Sequence, residues 1–147
     1  MKNLKISILI VVLFSLGICL QNCKDSDDPS EKEVTEKILQ SKSWTTSSVV
    51  VPDNTATSND DWPGFSVSFG TTMMNTSGHP TGSEAVWPSG TWIVSAEGKN
   101  ITRGDGVVML LTNISETNFT ATFAVPEGTE ISGRIAALDG EYIFNME

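Results

Sequence analysis

Apolar residues recur along this chain at three different spacings, and each spacing predicts a different structure. Between Ile6 and Leu20 they are almost continuous, broken only by Ser7, Ser15, Gly17 and Cys19. Val34, Ile38 and Leu39 then fall at helical intervals, predicting a helix over about residues 31–41 that lays this stripe on whatever follows. Ser30 stands at its start with Glu33 three residues on, the pattern of a capping box, and Glu33 with Lys37 makes a favourable i,i+4 pair.

From Trp44 onward the period drops to two. Trp44–Val51 is rich in Val, Thr and Ser and ends at Pro52-Asp53-Asn54; Phe65, Val67 and Phe69 alternate with Ser and Gly. Thr91–Ala96 turns through Glu97-Gly98-Lys99-Asn100 into Ile101-Thr102. Gly104-Asp105-Gly106 leads into Val107–Thr112, whose near-continuous apolar character predicts burial on both faces or cover by the helix. Phe119–Val125, Ile131–Leu138 and a strand carrying Tyr142, Phe144 and Met146 complete the series, with Asp139-Gly140 as a hairpin signal.

About eight short strands after one short N-terminal helix, joined mostly by tight turns, define an all-β domain. With one alternating apolar face and no crossover helices, closure into a small antiparallel up-and-down β-barrel buries that face and removes the sheet edges. An open sandwich is the competing architecture. Residues 52–64 and 71–90 break the rhythm as long loops, a length usually associated with function or disorder.

The continuous run at the start has Lys2 and Lys5 before it and falls short of the roughly 20 apolar residues that a spanning helix needs. It reads as a signal peptide, with a retained anchor as the alternative. Two cysteines follow the run's core. Cys19 is preceded by the bulky Ile18, whereas Leu20-Gln21-Asn22-Cys23 precedes an acidic, polar stretch, so Cys23 is the better site for lipid attachment. The chain therefore divides into a leader at 1–22, an acidic tether at 23–30 and a folded domain at 31–147.

The formal net charge of −9 becomes −11 once Lys2 and Lys5 leave with the leader. So acidic a surface argues against nucleic acid and against peripheral binding to anionic lipid, and favours solubility. Neither a disulfide nor a free thiol remains if Cys19 is removed and Cys23 is acylated, so stability has to come from the core.

The segment Leu20-Gln21-Asn22-Cys23-Lys24-Asp25 resembles the processing site of Bacteroidetes surface lipoproteins. That resemblance implies acylation of Cys23 by fatty chains such as palmitate. It also implies a location on the outer membrane, exposed at the cell surface. The folded part is similar to the small lipocalin-like domains of such lipoproteins. It shares with them the helix leading into Trp44, Gly64-Phe65-Ser66-Val67-Ser68-Phe69, Trp87-Pro88-Ser89-Gly90-Thr91-Trp92, Ile101 to Gly106, and Gly140 to Phe144. Most such domains have no assigned activity.

Candidate chemistry is sparse. His79 is the single histidine and lies in a Gly- and Pro-rich loop, where it reads as solvated, so no His-bearing triad or multi-His metal site can be placed. Asp53, Asp60 and Asp61, with Asn54 and Asn59, offer oxygen atoms to calcium but lack EF-hand order, and Asx residues are common in turns. Arg103-Gly104-Asp105 spells an adhesive tripeptide yet reads better as turn chemistry. Asn-x-Ser/Thr triplets carry no weight in a chain so rich in Ser and Thr.

Trp62 and Trp87 stand in the two long loops, each followed by Pro. There they are candidates to stack on a glycan or close over a small ligand, or else to plug the barrel mouth. The reading that follows is a non-enzymatic surface lipoprotein with no cofactor and no metal. Its barrel binds a small ligand, a glycan or an outer-membrane partner protein. The alternative is an assembly module filled solid by Phe65, Phe69, Trp92, Phe119, Phe123 and Phe144.

Overall fold

A computed structural model describes residues 28–53, 55–129 and 138–147; the leader, Cys23 and most of the tether lie outside these. Helix α1 spans Glu31–Leu39. Its capping box is formed: Glu33 N–H donates to Ser30 Oγ (3.3 Å), and Ser30 N–H donates to Glu33 Oε2 (2.8 Å). These bonds, the backbone one first and then the Ser30 side chain, hold the Glu33 carboxyl below its ordinary range. Because Glu33 is engaged with Ser30, the ion pair on the helix is Lys32–Glu36 (3.7 Å) rather than Glu33–Lys37.

Eight strands follow: β1 Ser43–Val50, β2 Ser66–Phe69, β3 Met73–Ser77, β4 Gly90–Val94, β5 Asn100–Arg103, β6 Val108–Thr112, β7 Phe119–Val125 and β8 Gly140–Met146. Each pairs antiparallel with the next, and β8 returns to β1, so the sheet closes as an up-and-down barrel and leaves no edge. Closure is not uniform. Strands β7 and β8 pair over seven positions, from Phe119↔Met146 to Val125↔Gly140, whereas β3 and β4 pair only at Met73↔Thr91 and Met74↔Gly90.

The period-two pattern sets the inside. Phe65, Phe69, Trp92, Phe119, Phe123 and Phe144 are all buried, as the filled-barrel reading expects. The outer wall is the complement, mostly Ser, Thr and Asn. Among the described strand residues that face outward, Glu141 is the only charged one.

Helix α1 closes one end. Leu39 is fully buried, Trp44 Nε1 donates to Leu39 O (2.8 Å), and Thr35 Oγ1 donates to Gly98 O (3.0 Å) in the β4–β5 turn. At Gly98 (φ +67°) a Cβ would lie 2.7 Å from Glu31 O and from Thr35 Oγ1, so glycine serves both the left-handed turn and the approach of the helix.

Several expectations shift. The strand count is right but its membership differs: β3 lies inside the stretch read as a loop over 71–90, because Met74 supplies only one inward apolar anchor. The strand expected at Ile131–Leu138 falls almost wholly outside the described residues, and its last residue, Leu138, is buried in the loop before β8. Val107–Thr112 is not buried on both faces. Met109 and Leu111 point in, while Val108 and Leu110 are 55% and 47% exposed. The helical stripe is rotated by one position: Thr35 and Leu39 face the barrel, and Val34 is left half out.

Candidate functional site at the loop-closed mouth

The barrel end opposite α1 is closed by loops. The β1–β2 loop carries Trp62 and the β3–β4 loop carries Trp87, and both fold inward to 1% and 0% exposure. A two-aromatic hinge of Phe65 and Phe144 joins them. Trp62 sits edge-on to Phe144 (centroids 5.0 Å) and Phe65 (5.5 Å), and Trp87 lies 5.1 Å from Phe144 and 5.5 Å from Phe65. Phe123 and Phe144 stack beneath at 5.7 Å. Such offset and T-shaped pairs each add about 0.5–1.5 kcal/mol beyond area burial. The structure thus brings the two loop tryptophans together around shared aromatics and places them in the core.

Their indole groups are treated differently. Trp87 Nε1 donates to Met74 Sδ (3.4 Å), whereas among the described residues Trp62 Nε1 has no hydrogen-bond partner, and nor does the buried Thr57 Oγ1. The Trp62 ring as a whole lies edge-on to those of Phe65, His79, Tyr142 and Phe144.

His79 is not a free loop residue. Its Nε2 lies 2.8 Å from Trp87 O, and its ring packs 5.0 Å from Phe65 and 6.4 Å from Trp62. It fastens the β3–β4 loop to the plug.

Arg103, which the sequence offers only as part of a turn, is buried in the structure. Its side chain points into the barrel, with the residue only 3% exposed. Nη1 donates to Val86 O (2.7 Å), Nε donates to Asp105 Oδ1 (3.1 Å), and Nη2 pairs with Asp105 Oδ2, while the guanidinium lies 5.3 Å from the Phe123 ring centroid. Asp105 also accepts from Val107 N (3.2 Å), and Gly106, at φ +88°, closes the turn. Burial by itself would raise the Asp105 carboxyl. The Arg103 hydrogen bonds and charge outweigh it, and the net shift is downward. The Arg-Gly-Asp triplet is therefore turn chemistry as expected, but it also carries a buried cation that tethers the Trp87 loop. Parity was the available signal: Ile101 faces inward, so Arg103 two residues on must as well.

Tyr142 completes the mouth. Its hydroxyl donates to Leu138 O (3.0 Å), and burial, only partly opposed by Thr57 and Thr55, pushes its pKa up.

The oxygen-rich β1–β2 loop uses its groups locally. Asp61 Oδ2 accepts from Ser58 N (2.6 Å) and Ser58 Oγ (2.9 Å), which lowers its pKa, and Asn59 Oδ1 accepts from Val51 N (2.9 Å). Asn54 lies outside the described residues. Among the described residues no group of three His, Cys, Asp or Glu side chains is placed to hold a metal ion.

Fold and mouth together define a small closed antiparallel barrel with an aromatic fill. In comparison with known proteins, no protein-family model matches the sequence, and no curated protein matches it either.

Proposed function

We propose that this chain is a non-enzymatic lipoprotein of the outer membrane. It is anchored by acylated Cys23 and exposed at the cell surface, and its filled barrel is an interaction or assembly module for a partner protein. The observation that carries the solid-barrel half is the inward placement of Trp62 and Trp87, which fill the mouth where an open barrel would admit a ligand. Recognition then falls to the outside of the barrel. The charge-poor wall, with Ile93 at 65% exposure on β4 and the half-exposed Val108 and Leu110 on β6, across the polar Thr102 of β5, suits contact with a protein better than its acidic loops do.

The anchoring half rests on the basic and apolar leader, on Cys23 and on the acidic tether, together with the resemblance to surface lipoproteins. Mass spectrometry of the mature protein tests it: the expected N-terminus is an acylated Cys23, and an unmodified chain that retains Met1 contradicts it. Cys23→Ala should release the protein from the membrane fraction.

A second reading keeps the lipocalin-like idea of a small ligand or glycan. The unpartnered Trp62 Nε1 favours it, since a ligand oxygen entering beside Trp62 would satisfy that donor. Tryptophan fluorescence titrated against a glycan panel should respond, and the response should vanish in Trp62→Phe with Trp87→Phe. A parent protein with no response removes this reading.

A further inference from the structure

Resting on the lipoprotein reading above, we infer that the α1 end of the barrel docks on the lipid bilayer that holds Cys23. In this docked state a groove beside the helix takes phospholipid. The groove measures about 660 Å³, with Pro29, Val34 and Ile38 as its apolar floor and Lys37 and Lys42 on its rim. It exists because the helix turns Thr35 and Leu39 into the barrel. The neighbouring row of Val34 and Ile38 is then only partly covered, with Val34 42% exposed.

Two independent features select a bilayer as the occupant. The first is reach. Five residue steps separate Cys23 from Asp28, which spans at most about 18 Å of extended chain. Pro29, the next residue, already lines the groove, so the anchor holds this end at the membrane surface. The opposite mouth lies roughly 20 Å further along the strands.

The second feature is charge. Every lysine among the described residues, Lys32, Lys37, Lys42 and Lys99, sits on α1 or in the turns around it. The far mouth carries Asp53, Asp60, Asp61, Glu84, Glu127 and Asp139 and no lysine among the described residues. The α1 end also carries Asp28, Glu31, Glu33, Glu36, Glu97, Glu116 and Glu147 against the four lysines, a balance of −3 where the six acids of the far mouth give −6, so an anionic surface repels this end less and meets ammonium groups only here. Glu33 and Glu116 line the same groove and balance Lys37 and Lys42 in charge, the Glu33 carboxylate being turned to Ser30. The long lysine stems can lie along the apolar floor with their charges at headgroup level.

The test uses the processed, acylated protein in vesicles of phosphatidylethanolamine and phosphatidylglycerol that carry a nitroxide-labelled lipid as quencher. No thiol remains in the mature chain once Cys23 is acylated, so a fluorophore can be placed singly at Val34→Cys, Ile93→Cys or Glu127→Cys. Quenching should be several-fold stronger at Val34 than at Ile93 on the wall or Glu127 at the far mouth. Equal or stronger quenching at Ile93 or Glu127 overturns the docking. Lys37→Glu should weaken quenching at Val34 while the protein stays in the vesicle pellet; unchanged quenching overturns the role of charge. If mass spectrometry finds no acyl chain on Cys23, the lipoprotein reading fails and takes this inference with it. An acylated protein with an unquenched Val34 defeats the docking alone.

Discussion

The two ends of the barrel solve one problem by different means. A β-barrel of eight strands is wide enough to be filled by side chains, but its mouths must be closed against water. At one end α1 supplies the cover, and its position is fixed by directed hydrogen bonds such as Trp44 Nε1 to Leu39 O and Thr35 Oγ1 to Gly98 O. At the other, two irregular loops are drawn inward by the burial of Trp62 and Trp87, with His79 and Arg103 holding backbone carbonyls of the Trp87 loop. Regular structure closes the first end; aromatic volume closes the second. The helix end should therefore lose stability mainly through single hydrogen bonds and one leucine, and the mouth mainly through volume.

Mutations sharpen that contrast, beginning with the largest effect. Trp87→Ala removes a fully buried indole from a cluster that cannot collapse, and thermal unfolding should register a loss of about 3–5 kcal/mol. Leu39→Ala at the helix end should cost about 2–4 kcal/mol, and a cost greater than that of Trp87→Ala would reverse the ranking of the two ends. Arg103→Met keeps volume but removes the donor to Val86 O and both guanidinium bonds to Asp105, which keeps only the Val107 N–H. Asp105 is more than a third exposed and can rehydrate, so about 2 kcal/mol is expected. Thr35→Val deletes one hydrogen bond to Gly98 O and should cost about 1 kcal/mol in urea unfolding.

The smallest effect is a pH dependence confined to the mouth. Asp105 has its folded pKa depressed, so its contribution to stability is present above the unfolded value of about 3.9 and is lost as pH falls through the folded value. The stability gap between the parent and Arg103→Met should then narrow below about pH 4. A gap that stays constant down to the acid limb would mean that the Arg103–Asp105 pair adds nothing to folding.

Legibility in the sequence follows the same division. The helix, its Ser30–Glu33 box, and the inward places of the six filling aromatics follow from period and capping chemistry, which are local. The rotation of the helical stripe was not legible, because Thr35 is turned inward by a partner 63 residues away. Strand β3 was hidden for a related reason: with Asn75, Thr76 and Ser77 after Met74, its pairing with β2 rather than its own apolar pattern makes it a strand. The fate of Trp62 and Trp87 could be posed but not decided, since a tryptophan in a long loop has no period to assign it a face. Arg103 shows the opposite failure. Parity with Ile101 would place it inside, but its triplet with Gly104 and Asp105 reads only as turn chemistry, and the Val86 carbonyl and the Phe123 ring explain how the cation is accommodated.

Acrylamide quenching of the native protein's tryptophan fluorescence is the most direct test of the closed, filled barrel. Trp44, Trp62, Trp87 and Trp92 are all at or below 5% exposure, so emission should be blue-shifted and nearly resistant to the quencher until the protein unfolds. Ready quenching of a large share of the native emission, lost when Trp62 and Trp87 are both changed to Phe, would mean that the mouth is open and that its tryptophans face a solvent-filled interior.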